Sequence, residues 1–316
     1  MSIKNIVRPS LLLLAAMIWG FAFVAQDAAS AVPSFVLGFI RSIFAFVFLI
    51  TVIPVSDFLT KNGRKLISKS GIDLKSEELV GGVITGIVLA VASALQQIGI
   101  SLGTDGGKAG FITALYVVLV PIYSILLKKK TKLHIWVSIF VAAVGFFLLC
   151  ITEQLTIAPS DLAVMGGAMI FPIHILAIDY YSPKCDGIRM SAIQFLTCAM
   201  VNLILSLILE SPIDLSPIYI NLGSLIYLGI MSSGVAYTLQ IIGQKNVNPT
   251  VASIILSLES VFAVIGTALM LGQSLSAREY FGCALVLFAV ILSQLDFSKN
   301  EKSEENSLGE NSASDK

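Results

Sequence analysis

The chain has 316 residues, of which 56% are hydrophobic and only 13% are charged, and its 20 basic and 20 acidic residues give a formal net charge of zero. Because soluble domains carry about 25% charged residues, this composition excludes a soluble enzyme, a nucleic-acid-binding protein and a disordered chain. It indicates a polytopic membrane protein.

Ten apolar runs follow one another along the chain, each long enough to cross a bilayer as a helix, which requires about 20 mostly apolar residues. They are Leu11–Ala31, Phe35–Val55, Leu79–Ile100, Ala109–Leu127, Leu133–Ile151, Asp161–Ile178, Met190–Leu209, Ile218–Ile242, Val251–Leu271 and Tyr280–Leu295. The first run follows Lys4 and Arg8, as in a signal peptide, but it is too long for the apolar part of one. We therefore predict that it is an uncleaved span.

The distribution of lysine and arginine predicts the orientation of these spans, since cytoplasmic loops are enriched in both. With the N-terminus inside, all but three of the 20 basic residues fall in cytoplasmic segments. The exceptions are Lys108 and Arg278 in external loops and Arg41 within a span. We predict that both termini are cytoplasmic and that the basic clusters contact lipid headgroups.

The number of spans suggests an internal repeat, because ten divide into two sets of five and an odd set inverts the second half. Thr113–Ser124 (TALYVVLVPIYS) and Ala252–Ala263 (ASIILSLESVFA) are faintly alike, with Pro121 opposite Ser260. The predicted fold is an all-α polytopic membrane protein with ten transmembrane helices arranged as two inverted five-helix repeats. Residues 1–152 form helices 1–5 and residues 153–296 form helices 6–10. Residues 297–316, charged and rich in Ser and Asn, form a disordered cytoplasmic tail.

Charged and titratable residues inside the spans are candidate site residues, because a charge at membrane depth usually faces a cavity or a partner. Glu259, near the centre of the ninth run, either binds a cationic ligand group, carries a proton, forms a permanent pair or caps a broken helix. Arg41 either binds a ligand carboxylate or is clamped to Asp27 or to backbone carbonyls. His174 is a packing residue or a proton relay, and Asp179 is an interfacial anchor or a functional group.

Polar and aromatic residues recur at helical spacing on four of the runs. They are Trp19, Phe23 and Gln26 on the first; Ser93, Gln96 and Gln97 on the third; Ser191, Gln194, Cys198 and Asn202 on the seventh; and Ser233, Tyr237, Gln240 and Gln244 on the eighth. Such faces either hydrogen-bond between helices or line a wet cavity. Because several helices carry one, we favour a shared cavity.

Seven stretches together resemble a known family. They are Ile18–Gly20 with Phe23–Gln26, Arg41, Ser93–Gly99, Lys108–Pro121, His174–Asp179, Gly234–Gln240 and Leu256–Ala263. Over about Leu11 to Leu295 the chain resembles the EamA-type transporters of the drug/metabolite transporter superfamily. Ser260 stands where that family usually has proline, so a softer kink is expected there, and Gln273 stands where it usually has glutamate.

The resemblance implies a secondary carrier, most often an exporter of amino acids or other small metabolites. We therefore predict alternating-access transport of a small polar metabolite, an amino acid or similar, across a bacterial plasma membrane. The alternative is an importer or exchanger of phosphorylated or nucleotide-linked metabolites, which would need several buried basic residues. Candidate substrate-binding residues are Trp19, Gln26, Arg41, Gln96, Gln97, Tyr116, His174, Gln194, Tyr237, Gln240 and Glu259.

Other functional classes find little support in the sequence. The two histidines lie on different spans, no HExxH or GxSxG motif occurs, and the four cysteines show no paired spacing. We predict no enzyme, cofactor, metal site or nucleic-acid partner, and the short loops argue against a sensor or scaffold. The expected partners are a small-molecule substrate and membrane lipid, and a homodimer is left open.

Overall fold

The computed structural model describes residues 3–63, 75–128, 132–150, 158–271 and 276–295, and within these ranges the regular structure is entirely helical. Ten helices, α1 to α10, correspond to the ten predicted runs. Their bounds are Ile3–Ala28, Ser34–Gly63, Ser76–Ser101, Gly106–Leu126, Leu133–Cys150, Pro159–Tyr181, Gly187–Leu209, Leu222–Gln244, Pro249–Leu271 and Ala277–Gln294.

Nine of these helices are individually long and apolar enough to cross a membrane, as far as the described residues go. The remaining helix, α5, has a shorter apolar segment, Leu133–Leu148. The prediction of an all-helical polytopic membrane protein is therefore confirmed, although α1 ends at Ala28 and not at Ala31. The predicted boundary at residues 152–153, the predicted tail and Gln273 lie outside the described residues.

Polar residues at the helix starts explain why the chain turns where it does. Asp105 accepts hydrogen bonds from the first N–H groups of α4, and Asp186 does the same for α7. Asn248 caps α9, with Pro249 at its first position, and Ser276 forms a capping box with α10. Such caps satisfy N–H groups that have no partner within the helix, so each fixes the point at which a new span begins.

Small residues let the helices approach one another closely. A methyl group added at Gly20 of α1 would lie 2.8 Å from the backbone nitrogen of Ala263 in α9. One added at Gly167 of α6 would lie 2.7 Å from the carbonyl oxygen of Ala92 in α3. Close backbone approach is a common way for helices to associate in lipid. Here it brings helices of the first half against helices of the second.

Three helices are irregular near their middles. α4 consists of two halves, Gly106–Ala114 and Tyr116–Leu126, and α9 of Pro249–Leu256 and Leu258–Leu271. α8, preceded by the short helix Ser216–Ile220, contains a π-helical segment. The faint sequence repeat lies on α4 and α9. The fourth helix of each half is therefore interrupted.

Serine side chains give a physical reason for the interruption of α9. The hydroxyls of Ser257 and Ser260 donate to the carbonyl oxygens of Ile254 and Ser257, at 2.7 and 2.8 Å. Such bonds compete with the helix ladder and bend helices. Thus α9 is interrupted although residue 260 is serine and not proline.

Candidate functional site

A cavity lies between the two halves of the molecule, beside the interruptions of α4 and α9. Its volume is about 40 Å³, which is room for about three water molecules. It is lined by Trp19, Ala22, Phe23, Gln26, Arg41, Gln96, Thr113, Tyr116, Phe171, His174, Ile175, Ser232, Tyr237, Gln240, Leu256 and Glu259. These residues come from α1, α2, α3, α4, α6, α8 and α9, so neither half could form the site alone.

Nine of the eleven candidate residues line this cavity, and Gln97 and Gln194 do not. Gln97 follows Gln96 on α3, and neighbours on a helix point about 100° apart, so only Gln96 faces the cavity. Gln194 belongs to α7, behind the lining, where its Oε1 lies 3.0 Å from Nε2 of His174. Asp179 also lies away from the cavity, in the last turn of α6.

The lining includes residues that the sequence analysis did not single out as substrate-binding. Thr113 receives a hydrogen bond from the amide of Gln96 at 2.8 Å, and Ser232 precedes a serine of the predicted polar face. Phe23 stood in the predicted stripe of α1. The remaining additions are Ala22, Phe171, Ile175 and Leu256, which carry no recognisable signal in a chain that is 56% hydrophobic.

Arg41 is buried, with 7% of its surface exposed, and its charge is surrounded by neutral oxygens. Nε donates to the hydroxyl of Ser233 at 2.9 Å, Nη1 to Oε1 of Gln26 at 3.0 Å and Nη2 to the hydroxyl of Ser232 at 3.2 Å. Asp27 is exposed, and within the described ranges these three bonds, not a clamp to Asp27, hold the guanidinium. These neutral side chains stabilise the positive charge of Arg41 but do not cancel it.

Glu259 is the second residue of the second half of α9 and is 4% exposed. The first turn of a helix favours a negative charge, because its N–H groups and dipole point toward that end. Oε1 of Glu259 has no hydrogen-bond partner among the described residues. The same holds for the hydroxyl of Tyr116, the first residue of the second half of α4. The Tyr116 hydroxyl and the Glu259 carboxylate nevertheless interact with each other, so each interruption contributes one member of a buried polar pair beside the cavity.

Aromatic rings form one wall of the cavity around Tyr237. Its ring centroid lies 4.6 Å from that of Trp19 and 5.7 Å from that of His174. The ring of Phe195, which is outside the lining, packs against Tyr237 at 5.6 Å. The indole Nε1 of Trp19 donates to the carbonyl oxygen of Ser232 at 3.0 Å. Rings of this kind offer an apolar face together with a hydrogen-bonding tip.

Gln240 of α8 also lines the cavity, and Gln244 follows one turn later on the same helix. Nε2 of Gln244 donates to the carbonyl oxygen of Ile175 at 2.6 Å, which joins α8 to α6. Nε2 of Gln240 is 3.5 Å from Oε1 of Gln244, while Oε1 of Gln240 has no partner among the described residues. The cavity therefore combines a cationic group, a carboxylate, amides and an aromatic wall, which suits reversible binding of a small polar molecule.

Comparison with known proteins agrees with this architecture. The sequence model of the EamA-like transporter family matches residues 9–151 and 158–295. An uncharacterized transporter of Archaeoglobus fulgidus is 28% identical over 295 residues, which cover 93% of this chain and 87% of that protein. The uncharacterized inner membrane transporter YedA of Escherichia coli K12 is 24% identical over 285 residues, 87% of each chain. A solved crystal structure with 16% identity shares the fold, with a TM-score of 0.70 over 90% of this chain and 96% of the other.

Proposed function

The chain belongs to the EamA-like transporter family and is a multi-pass membrane transporter, and we propose that it is a secondary active exporter of a small polar metabolite, an amino acid or similar. The observation that carries the proposal is the cavity shared by both halves, with Arg41 and Glu259 in its lining. Transporters with inverted repeats bind their substrate where the repeats meet, near interrupted helices.

The dimensions of the cavity support alternating access. A volume of about 40 Å³ holds about three waters, which is too little for an amino acid. Binding therefore requires the helices around the cavity to part. The interruptions of α4 and α9 divide each helix into two short segments at this level, so each segment can change its tilt separately.

The charges support a zwitterionic substrate. A carboxylate would bind Arg41 and an ammonium group would bind Glu259. Each buried charge would then have an oppositely charged partner. Arg41 is the one lysine or arginine among the described residues that line the cavity. A phosphorylated or nucleotide-linked substrate would bring two or more negative charges to this single cation, so the alternative function has less support.

The proposal also includes the direction of transport, the orientation of the chain in the membrane and the membrane in which it lies. The family resemblance of the sequence supports export. The excess of lysine and arginine on one side of the spans supports cytoplasmic termini. One relative is an inner membrane transporter of a bacterium, which supports a bacterial plasma membrane for this chain. Glu259 is the group we propose for carrying a coupling proton.

Flux into proteoliposomes tests the proposed function. We expect the purified protein to move at least one member of an equimolar mixture of the twenty labelled proteinogenic amino acids, in exchange for the same mixture inside. Glu259→Gln should abolish this flux, while Glu77→Gln, at an exposed acid at the start of α3, should leave it unchanged. Absence of flux with the wild-type protein would contradict the proposal.

A further inference from the structure

The π-helical segment of α8, Tyr227–Ala236, is ten residues long. π-Helices are rare, usually occupy a single turn and often mark functional sites. This segment contains both serines that bind Arg41, at 3.2 Å for Ser232 and 2.9 Å for Ser233. The irregular part of α8 is therefore the part that contacts the buried cation.

The geometry of a π-helix explains how two consecutive residues reach one guanidinium. Neighbouring side chains on an α-helix diverge by about 100°. A π-helix closes its hydrogen bonds over five residues in place of four, so it has more residues per turn and neighbouring side chains diverge less. Ser232 and Ser233 can thus both point at Arg41.

Two glycines seat the segment against α2, the helix that carries Arg41. A methyl group added at Gly229 would lie 2.5 Å from Cβ of Phe44, and one added at Gly234 would lie 2.8 Å from Cδ1 of Phe48. The segment therefore packs against the phenylalanines of α2 with no room for a larger side chain on either side of the two serines. Any larger residue would move the hydroxyls away from Arg41.

Helix α1 holds the segment from the other side. The indole of Trp19 donates to the carbonyl oxygen of Ser232 at 3.0 Å, and the hydroxyl of Tyr227 donates to the carbonyl oxygen of Ile18 at 2.9 Å. One bond is donated by α1 and the other by the π-helical segment. Together they join the adjacent residues Ile18 and Trp19 to Tyr227 and Ser232. They fix its rotation about the axis of α8.

The hydrogen bonds around Arg41 leave donor groups that can bind a ligand in the cavity. A guanidinium has five N–H groups, and three of them are used by Gln26, Ser232 and Ser233. Gln26 accepts through its carbonyl oxygen, which leaves its NH₂ group to donate, and both Gln26 and Arg41 line the cavity. Donors arranged around a planar cation suit a carboxylate, which a guanidinium binds through two parallel bonds.

We propose that the π-helical segment is a positioning device and that Ser232 and Ser233 are positioning residues, which hold Arg41 so that its remaining N–H groups receive the carboxylate of the substrate. The inference rests on the proposed function, transport of an amino acid or similar metabolite, and adds how one end of that substrate is recognised. It also separates the role of the serines from that of Glu259, which lies in α9 and receives the other end.

The test compares the best-transported amino acid of the mixture with its α-amide, which has the same shape but no carboxylate. The wild-type protein should have a lower KM for the acid. Ser232→Ala/Ser233→Ala should raise that KM about tenfold, as for the loss of one hydrogen bond to a charged group, with the maximal rate and the KM for the amide nearly unchanged. Ser138→Ala, a buried serine of α5 that bonds its own helix, is the matched control and should change neither.

Each of the other outcomes would contradict one part of the proposal. Equal KM values for acid and amide in the wild type would exclude a carboxylate receptor while leaving the transporter intact. A double variant in which both KM values rise together, or only the amount of folded protein falls, would give the serines a purely structural role. Should the double variant not fold, Ser233→Ala alone and Arg41→Lys carry the same comparison, and both should reduce the preference for the acid. A wild type that moves neither compound nor any other amino acid would contradict the proposed function itself.

Discussion

Two opposite charges are buried in the cavity, and the protein treats them differently. Arg41 has three neutral hydrogen-bond partners, whereas Oε1 of Glu259 has no partner within the described part of the chain. An unsatisfied buried polar atom costs about 1–3 kcal/mol, and more when it is charged. The site therefore stores an unfavourable interaction at Glu259 that a cationic ligand or a proton would relieve.

This difference predicts opposite effects on stability. Glu259→Gln should leave the thermal unfolding midpoint unchanged or raise it, because it removes a buried charge whose Oε1 has no hydrogen-bond partner among the described residues, while substrate affinity falls by about tenfold or more. Thermal unfolding and flux of the same preparation check this. A large fall in the midpoint would show that Glu259 is instead a structural carboxylate.

Arg41→Met should lower the free energy of unfolding by about 1–3 kcal/mol, because the substitution removes the donor from three buried acceptors. The measurement is the thermal unfolding midpoint of the detergent-solubilised protein, compared with that of Glu259→Gln. Equal midpoints for the two variants would contradict the account of how each charge is held.

At the scale of elements, α2 and α7 are joined at both ends. Both carboxylate oxygens of Glu210, just after α7, accept hydrogen bonds of 2.9 Å from the first N–H groups of α2, at Phe35 and Val36. At the opposite end Arg189 of α7 donates to Asp57 of α2 at 3.1 Å. One contact caps a helix, and the other is a partly exposed ion pair.

These two contacts should differ in strength. Glu210→Ala should destabilise the protein by about 0.5–2 kcal/mol, as for loss of a helix cap. Asp57→Ala should change stability by less than about 1 kcal/mol, as for an exposed pair screened by water and salt. Unfolding midpoints of both variants at low and high salt provide the comparison. A larger effect at Asp57 than at Glu210 would reverse this ranking.

Hydrophobic runs were enough to predict where each spanning helix lies, because lipid requires long apolar segments whatever their partners. The interruption at Leu115 and the π-helical segment could not be predicted this way, whereas Glu259 and Ser260 already indicated a broken or kinked helix in the ninth run. The partners of Arg41 could not be predicted either: two of them, Ser232 and Ser233, follow it by more than 190 positions. Side chains that meet only after folding leave no local pattern in the sequence.

For the whole molecule, the fold explains why the candidate residues of both halves converge. Nine of eleven line one cavity because polar residues in lipid must face the interior of the bundle. Gln97 was included because it lies one turn from Ser93 on α3, although of the two adjacent glutamines only Gln96 faces the cavity. Gln194 was the other miss, because α7 lies behind the lining and contributes none of the described residues to it.

Orientation is a property of the whole chain and has its own test. A green fluorescent protein fused after Lys316 should fluoresce, and alkaline phosphatase fused at the same point should be inactive, because the positively charged loops keep both termini cytoplasmic. Fusions in the loop between α7 and α8 should behave in the opposite way. The reverse pattern would invert the proposed orientation.

In the proposed function the substrate binds in the cavity between the halves, and Trp19 can report this binding directly. The chain has two tryptophans, so Trp136→Phe, in α5 and outside the lining, leaves Trp19 as the single fluorophore. Addition of the transported amino acid should change its fluorescence saturably, with a midpoint close to the KM for flux, and Glu259→Gln should abolish the change. Saturable flux with no response of Trp19, or a response that persists in Glu259→Gln with full flux, would place the substrate elsewhere.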